Sequence, residues 1–413
     1  MVNRRMYMIK TVKITDFDYQ GRGVTRIDDK VTFIKGALLD EIVEIEITKT
    51  SKKFDEAKTI KVIKKNNSRV TAPCPYYERC GGCDLMHMNY NEALKFKENK
   101  VKNTIKKFAN IETTIKPIIQ AEEIFNYRNK VTLKVENKKI GYYKKESNEF
   151  IEINNCLICD NLEQTLKEIK KCDLKDVSEI VIRSSKNLLE KMLIFKTTKD
   201  LDTSKLKGFD SIYLLKNNQY ILKSGNKNII EIMKNFQFCI SPGAFFQVNT
   251  NQAIKLYDKV LEYAEPKENE TILDLYSGTG TIGLYLSKKA KKIIGIEINE
   301  EAIKDANSNK EKNNIKNATF YALNANQFLS KIKEKIDTII VDPPRGGLDV
   351  KTINSILKIH PNKIVYVSCD VSTLARDLKI LSENYNVQEI TPVDMFPNTC
   401  HVENVCLLNL IIK

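Results

Sequence analysis

From about residue 245 onwards the chain alternates between strand-like and helix-like segments, and this alternation restricts the fold more than any other feature. The predicted strands cover residues 271–275, 292–298, 319–323 and 338–341, then a run ending at Cys369 and a last strand at 405–412. The predicted helices cover residues 252–262, 280–287, 300–309, 325–331 and 372–380. Because strands connected through helices run parallel in one sheet, the pattern predicts a doubly wound, mostly parallel α/β sheet.

A glycine-rich turn lies between the first of these strands and its helix. Gly278, Gly280 and Gly283 match the spacing G-x-G-x-x-G. Glycines at such a junction allow a tight turn and a close approach of the backbone to a ligand. The spacing alone suits a dinucleotide equally well, so it predicts a nucleotide-type ligand without selecting one.

Three acidic residues narrow the choice of ligand. Asp274 precedes the turn, Glu297 ends the next strand, where a carboxylate can hold two ribose hydroxyls, and Asp342 opens the segment Asp342-Pro343-Pro344-Arg345 after the fourth strand. Asp274 alone is also explained as a helix cap, and Glu297 alone as a solvated loop residue. Their shared order is typical of an S-adenosylmethionine site in a class I methyltransferase.

Cys369 is the candidate nucleophile, because open α/β sheets place their chemistry at the carboxyl ends of their strands. A thiolate that adds to carbon 6 of uracil turns carbon 5 into a nucleophile, and a base must later remove the proton from carbon 5. Glu403 is the candidate base and Asp394 its rival. The alternative for Cys369 is a buried cysteine at a strand end.

The N-terminal region and the overall charge both favour a nucleic-acid partner. Residues 10–65 alternate apolar and polar side chains in short runs, which predicts a small β-barrel of a kind that often binds single strands. Lys and Arg outnumber Asp and Glu by 67 to 53, a net charge of +14 that favours a polyanion. A lysine-rich compositional bias would explain the same excess.

Three of the ten cysteines stand close together in the pattern Cys74-x5-Cys80-x2-Cys83. Three thiolates in one glycine-containing loop suit a zinc or iron–sulfur site, and Cys156 and Cys159 are the candidates for the fourth ligand. No apolar segment of the signal-peptide kind follows the N-terminus, so we expect a cytoplasmic protein, and ten cysteines in such a chain argue against a disulfide framework. No segment reaches the roughly 18 apolar residues of a membrane span, so we expect no membrane partner.

With these motifs together, the chain resembles the RNA uracil-5-methyltransferase family, in particular its bacterial 23S ribosomal RNA branch with a TRAM domain and an iron–sulfur cluster. The resemblance spans nearly the whole chain. It is carried by the cysteine loop, the Asp274 glycine turn and four further segments, namely Phe245-Phe246-Gln247-Val248-Asn249, Asp342-Pro343-Pro344-Arg345, Ser368-Cys369-Asp370 with Thr373-Leu374-Ala375-Arg376-Asp377, and His401-Val402-Glu403.

The resemblance implies roles for individual residues. Cys369 would be the nucleophile and Glu403 the base. The implied contacts to S-adenosylmethionine come from Gln247, Tyr276, Thr281, Glu297, Asn324 and Asp342. The implied ligands of a [4Fe–4S] cluster are Cys74, Cys80, Cys83 and Cys156. The chain departs from many relatives at Asp370-Val371, where they have Asn-Pro, and at Thr281, which is often Asn.

The implied fold is a C-terminal Rossmann-like class I methyltransferase domain, an N-terminal TRAM/OB-like β-barrel and a central α+β domain that carries the cluster. The implied boundaries are 1–70 for the barrel, 71–91 with 125–243 for the central domain, and 92–124 with 244–413 for the methyltransferase domain.

The implied activity is methyl transfer to carbon 5 of a uridine in ribosomal RNA by a monomeric enzyme. The alternatives are the same reaction on transfer RNA, a non-catalytic RNA-binding iron–sulfur protein, and a redox or cluster-sensing protein.

Overall fold

The computed structural model describes residues 9–145 and 147–412, so the first eight residues of the predicted barrel lie outside the described residues. The chain divides into two compact units. Among the described residues, unit 1 comprises 9–100, 144–145, 147–148 and 398–400, and unit 2 comprises the remainder. Within the described ranges, no helix combines the length and apolar character that a membrane crossing requires.

Unit 1 contains a six-stranded sheet in the order β1-β5-β6-β4-β3-β2. Its strands are β1 (Ile9–Lys13), β2 (Asp16–Phe17), β3 (Gly23–Ile27), β4 (Lys30–Lys35), β5 (Ile42–Thr50) and β6 (Phe54–Lys64). Alternate residues such as Ile34, Val43 and Ile45 are fully buried in one apolar cluster, which is the period-2 pattern seen in the sequence. The predicted small all-β domain is therefore confirmed.

A buried ion pair fixes the chain that leaves this sheet. Both guanidinium nitrogens Nε and Nη2 of Arg69 donate to the carboxylate of Glu41, each at 2.6 Å. Backbone N–H groups of Leu38 and Asn66 donate to the same carboxylate. Burial acts to raise the pKa of Glu41, but the hydrogen bonds and charge of Arg69 hold it below its usual value.

Helix α1 (Tyr90–Thr104) runs into a single π-helical turn, Ile105–Ala109, which ends at the left-handed residue Asn110. The two-residue strand β7 (Thr114–Ile115) follows.

The middle of the chain forms a seven-stranded sheet in unit 2, in the order β10-β9-β8-β11-β12-β13-β14. Its strands are β8 (Lys130–Glu136), β9 (Lys139–Tyr143), β10 (Phe150–Glu152), β11 (Val177–Ser184), β12 (Lys191–Thr197), β13 (Ser211–Lys216) and β14 (Gln219–Gly225). Helix α2 (Leu162–Ile169) lies between β10 and β11 in the sequence, and a hairpin of β15 (Ile229–Met233) and β16 (Phe236–Ile240) follows the sheet.

The C-terminal part of unit 2 forms an eight-stranded sheet in the order β19-β18-β17-β20-β21-β23-β22-β7. Its remaining strands are β17 (Thr271–Leu275), β18 (Lys292–Glu297), β19 (Ala318–Ala322), β20 (Thr338–Val341), β21 (Lys363–Ser368), β22 (Tyr385–Val393) and β23 (Glu403–Leu410). Strands β17 to β21 run parallel to one another, whereas β23 pairs antiparallel with both β21 and β22. The predicted mostly parallel sheet is confirmed.

Helices cover both faces of this sheet. They are α3 (Thr250–Ala264), α4 (Thr281–Leu286), α5 (Glu300–Lys312), α6 (Ala325–Leu329), α7 (Val350–Ile359) and α8 (Val371–Leu381). Neighbouring strand residues belong to opposite layers: Ile272 packs in the cluster that includes residues of α3 to α5, and Leu273 in the cluster that includes residues of α6 to α8. Because both faces of these strands are buried, their residues are apolar in continuous runs.

The Glu41–Arg69 pair provides a stability test for unit 1. Replacing Arg69 by Met leaves the Glu41 carboxylate buried without its partner, so we expect a loss of about 3 kcal/mol. Amide hydrogen exchange of peptides from β3 to β6 measures the local free energy of opening. Lys58→Met is the matched control, because Lys58 pairs with Glu46 near solvent and we expect a loss below about 1 kcal/mol. Equal losses in both variants would contradict the assigned role of Arg69.

Candidate active site

The carboxyl ends of four parallel strands bring four of the predicted site residues to one edge of the eight-stranded sheet. Tyr276 follows β17, Glu297 ends β18, Asp342 follows β20 and Cys369 follows β21. Since β18, β17, β20 and β21 are adjacent in that order, these residues line the edge consecutively. Open α/β sheets bind their ligands at such an edge.

The glycine turn leaves open space above this edge. Tyr276, Gly278 and Gly280 all have positive φ angles, of 63°, 52° and 78°. A Cβ atom added to Gly278 would meet no described atom within 4 Å, whereas one added to Gly280 would lie 2.8 Å from the ring of Phe320. Gly280 is therefore required for packing, and Gly278 borders space that a ligand can fill.

Asp274 is buried beneath the turn. Its Oδ2 accepts the backbone N–H of Gly283 at 2.9 Å, while Oδ1 has no hydrogen-bond partner among the described residues. Burial raises the pKa of Asp274 to about 8, the Gly283 hydrogen bond opposes this, and the nearby carboxyls of Asp342 and Glu297 add to it. A cationic ligand beside these acids would favour their ionised forms, so the site suits the positively charged S-adenosylmethionine.

Glu297 and Asn324 both shape the neighbouring loops. The carboxylate of Glu297 accepts the N–H of Gly278 at 3.2 Å and that of Asn299 at 2.9 Å. Asn324 caps α6 by accepting the N–H groups of Asn326 and Gln327. Glu297 thus lies directly against the glycine turn, where a carboxylate can reach ribose hydroxyls.

Tyr276 and Thr281, two further predicted cofactor residues, flank the same turn. Thr281 begins α4, with its hydroxyl 3.3 Å from the hydroxyl of Tyr257. Burial raises the pKa of Tyr276. Gln247 is buried, and its backbone carbonyl accepts a hydrogen bond from Asn129 at 3.1 Å.

The antiparallel pairing of β21 with β23 brings the thiol and the candidate base together. Ser368 pairs with Asn404 at one end of this ladder. Cys369 follows Ser368 and Glu403 precedes Asn404, so both residues lie at that same end. Cys369 is partly exposed. Burial raises the pKa of its thiol to about 12, the charges of Glu403 and Asp342 act in the same direction, and Arg345 opposes them.

Glu403 and Asp342 are also shifted towards their neutral forms. Glu403 is only 5% exposed, and burial raises its pKa to about 8, with a further contribution from Asp342 and an opposing one from Arg345. Burial raises the pKa of Asp342 to about 7. A carboxyl that holds its proton this firmly is a strong base once it is ionised.

A hydrogen-bonded network holds the segment that carries Asp342 and Arg345. The buried carboxylate of Asp377 accepts the hydroxyl of Tyr366 at 2.7 Å and the N–H of Leu348 at 2.8 Å. Arg376 donates to the carbonyls of Gly346 and Leu348. The motif Thr373–Asp377 therefore positions the Asp-Pro-Pro-Arg segment, a role that sequence reasoning did not assign although the motif was visible.

The departure at Asp370 has a structural explanation. Its carboxylate accepts the N–H groups of Ser372 at 2.9 Å and Thr373 at 3.0 Å, which caps α8. The rival base Asp394 is buried one residue beyond β22, whose last residue Val393 pairs with Glu403. Among the acids that raise the pKa of Cys369, Glu403 has the largest effect.

The predicted cysteine ligands are divided between the two units: Cys74, Cys80 and Cys83 are in unit 1 and Cys156 is in unit 2. Among the residues that the structure describes, no three His, Cys, Asp or Glu side chains are grouped so that they could hold a metal ion. The [4Fe–4S] cluster stays a prediction.

Comparison with known proteins decides the family. Residues 218–411 match the family described as tRNA (Uracil-5-)-methyltransferase, and residues 8–60 match the TRAM domain. An uncharacterized RNA methyltransferase of Clostridium tetani is 37% identical, over 96% of this chain and 95% of its own length. One from Staphylococcus aureus (strain MRSA252) is 36% identical, over 97% and 98%. The chain belongs to the RNA uracil-5-methyltransferase family.

A solved structure supports the same assignment. The Pyrococcus abyssi tRNA (uracil-54, C5)-methyltransferase, in complex with S-adenosyl-L-homocysteine, is 30% identical and superposes with a TM-score of 0.81 over 96% of this chain and 99% of that one. The predicted enzyme class, an S-adenosylmethionine-dependent RNA methyltransferase, is confirmed. The predicted TRAM domain and class I methyltransferase fold are confirmed with it.

The reactivity of Cys369 tests the electrostatics of the site. Glu403→Gln removes the carboxylate whose charge raises the pKa of Cys369 most, so we expect a lower pKa for Cys369 and faster alkylation by iodoacetamide at pH 9, where Glu403 is ionised. Each unit of pKa decrease gives about tenfold more thiolate. Peptide mass spectrometry measures the rate, and Asp394→Asn is the control. Alkylation that accelerates as much in the control would mean that Glu403 does not govern the thiol.

Proposed function

We propose that this enzyme transfers a methyl group from S-adenosylmethionine to carbon 5 of a specific uridine in 23S ribosomal RNA. The observation that carries the proposal is the position of Cys369 beside Glu403 at the sheet edge that also holds the glycine turn. The cysteine-loop pattern supports the ribosomal target. The alternative target is transfer RNA, which is favoured by the substrate named for the Pyrococcus abyssi enzyme.

The cofactor supplies the methyl group when it is bound. Glu297 would hold the ribose hydroxyls. The remaining residues proposed to contact it are Gln247, Tyr276, Thr281, Asn324 and Asp342. The open space at Gly278 and the unpartnered Oδ1 of Asp274 support a polar ligand at this position.

Cys369 acts as the nucleophile. With a thiol pKa of about 12, it must lose its proton within the substrate complex, and the positive charge of Arg345 favours this loss. The thiolate forms a bond to carbon 6 of the uracil, and the electron pair of the 5,6 double bond moves into an enolate. Carbon 5 of the enolate then takes the methyl group as the sulfur–methyl bond breaks, with S-adenosylhomocysteine as the leaving product.

Glu403 completes the reaction as the base. Its carboxylate removes the proton from carbon 5, the double bond re-forms, and the carbon–sulfur bond breaks to return the thiolate of Cys369. A pKa of about 8 gives Glu403 a high proton affinity, which suits this step.

The first experiment incubates the protein with methyl-labelled S-adenosylmethionine and unmodified ribosomal or transfer RNA, followed by nucleoside mass spectrometry. We expect 5-methyluridine in ribosomal RNA. Labelled product only in transfer RNA would favour the second target. Tight RNA binding without labelled product from either RNA would favour a non-catalytic RNA-binding protein.

The two catalytic residues have different expected phenotypes. Cys369→Ala should abolish methyl transfer while RNA affinity stays near normal, because the thiol acts covalently. Glu403→Gln should slow turnover and leave protein bound covalently to methylated RNA, visible on denaturing gels. Asp394→Asn is the control and should form no trapped adduct. Normal transfer by Cys369→Ala would overturn the covalent mechanism, and a trapped adduct only in Asp394→Asn would move the base role to Asp394.

We also infer that Cys74, Cys80, Cys83 and Cys156 bind a [4Fe–4S] cluster with a structural role, on the grounds of the cysteine pattern and the family resemblance. Protein purified without oxygen should contain about four iron atoms and four sulfides per chain. Cys156→Ser should lower both, whereas Cys172→Ser should not. Iron-free wild-type protein with full methyl transfer would remove the cluster from the proposal.

The proposed organisation follows the same resemblance. The barrel would comprise residues 1–70, the central domain 71–91 with 125–243, and the methyltransferase domain 92–124 with 244–413. We propose a cytoplasmic monomer; the number of cysteines in the chain fits a reducing compartment.

A further inference from the structure

Two cross-strand pairs on one face of the seven-stranded sheet differ in charge: one joins opposite charges and the other joins like charges. In the β8–β11 ladder, Lys134 pairs with Glu179 and Lys130 pairs with Arg183. Positions four residues apart in a strand share a face. Lys134 and Glu179 form an ion pair, as expected for opposite charges. Lys130 and Arg183 place two cations directly opposite one another, an arrangement that destabilises a sheet.

Neither cation of this second pair has a counter-charge in contact. Arg183 is 3% exposed, and its Nη2 donates to the backbone carbonyl of Ala244. Its Nε has no hydrogen-bond partner in the described part of the chain. The ion pairs formed among residues 9–145 and 147–412 include neither Lys130 nor Arg183. The acid that acts on Arg183, Asp305, instead accepts a hydrogen bond from Ser241 at 2.6 Å.

The lack of a paired negative charge is also seen in the pKa values of Lys130 and Arg183, which are both lowered. Burial lowers the pKa of Lys130 to about 8, and the charges of Arg183 and Arg128 lower it further, against a smaller opposing effect of Glu179. Burial also lowers the pKa of Arg183, to about 10, while Tyr220 and Asp305 oppose the decrease. Buried charges in proteins are normally paired, so this pair has an unmet requirement for negative charge.

The cationic pair is attached to the segment that carries Gln247. Asn129, which precedes Lys130, donates from its side chain to the carbonyl of Gln247 at 3.1 Å and from its backbone to the carbonyl of Val248 at 2.8 Å. Arg183 holds the same segment at Ala244. An anion bound at Lys130 would therefore lie beside the segment that, in the proposed function, contacts the cofactor.

We propose that Lys130 and Arg183 form a phosphate-binding site for the RNA backbone next to the target nucleotide. Lys130 is the partly exposed contact, and Arg183 adds positive charge from the neighbouring strand. This inference rests on the proposed RNA substrate. The ligand class is a phosphodiester, because backbone phosphates supply the negative charge that the pair requires and are the principal partners of Lys and Arg in RNA complexes.

Two substitutions on one strand provide the test. Lys130→Met should weaken binding of unmodified substrate RNA by about tenfold at moderate salt and reduce the slope of log affinity against log salt by about one. Lys134→Met removes the same charge from the same face of the strand, and we expect a change below about twofold. Fluorescence anisotropy measures both. Equal losses in the two variants, or no loss in Lys130→Met, would overturn the proposal.

Thermal unfolding separates a binding role from a folding defect. Without RNA, Lys130→Met should unfold at the same or a higher temperature than the wild type, because it removes a repulsion. Lys134→Met should unfold at a lower temperature, because it removes an ion pair. Added RNA should stabilise the wild type and Lys134→Met more than Lys130→Met. A lower unfolding temperature of Lys130→Met without RNA would count against the inferred repulsion.

Inorganic phosphate distinguishes the RNA backbone from a free anion. Stabilisation by phosphate that depends on Lys130, together with RNA affinity that does not, would overturn the RNA assignment in favour of a small-anion site. If RNA binding depends on Lys130 but the wild type forms no 5-methyluridine, the proposed reaction fails while the phosphate site stands.

Discussion

The antiparallel pairing of β23 with β21 is the constraint on which the candidate active site depends. An all-parallel sheet would place the start of the last strand at the edge opposite Cys369. Because β23 runs the other way, its first residue, Glu403, lies beside the thiol. The pairing of β22 with β23 covers the other side of Glu403, and the resulting burial makes this carboxyl hold its proton near neutral pH.

The same burial acts on Asp274 and Asp342, so three carboxyls near one sheet edge favour their neutral forms. Arg345 is the cation that opposes this for both Cys369 and Glu403. Its segment is held by Arg376 and the buried Asp377, which connects the geometry of the reacting groups to a structural network one helix away. Burial thus has the largest effect on the pKa values of Cys369 and Glu403, and the charge of Arg345 opposes it.

Two buried arginines differ in the charge of the side chain that they face. In unit 1, Arg69 meets Glu41 through two short hydrogen bonds, and the pair is satisfied within the fold. In unit 2, Arg183 stands opposite Lys130 and lacks a carboxylate partner among the described residues. The first arrangement serves folding alone. The second leaves two positive charges repelling one another, and a bound anion would relieve this repulsion. Such a cost is expected of a binding site and not of a protein core.

The sequence by itself determined the strand–helix alternation, the glycine turn and the identities of the chemically competent residues, because these depend on local periodicity and on residue type. It did not predict β22, whose alternation is interrupted by a bulge between Val387 and Glu389, or β14, in which every residue is exposed. Only the tertiary structure decided that Glu403 lies beside Cys369, that Asp377 holds the Arg345 segment and that Lys130 opposes Arg183. Strand direction and register are set by pairing between distant segments, and the resulting burial sets the pKa values.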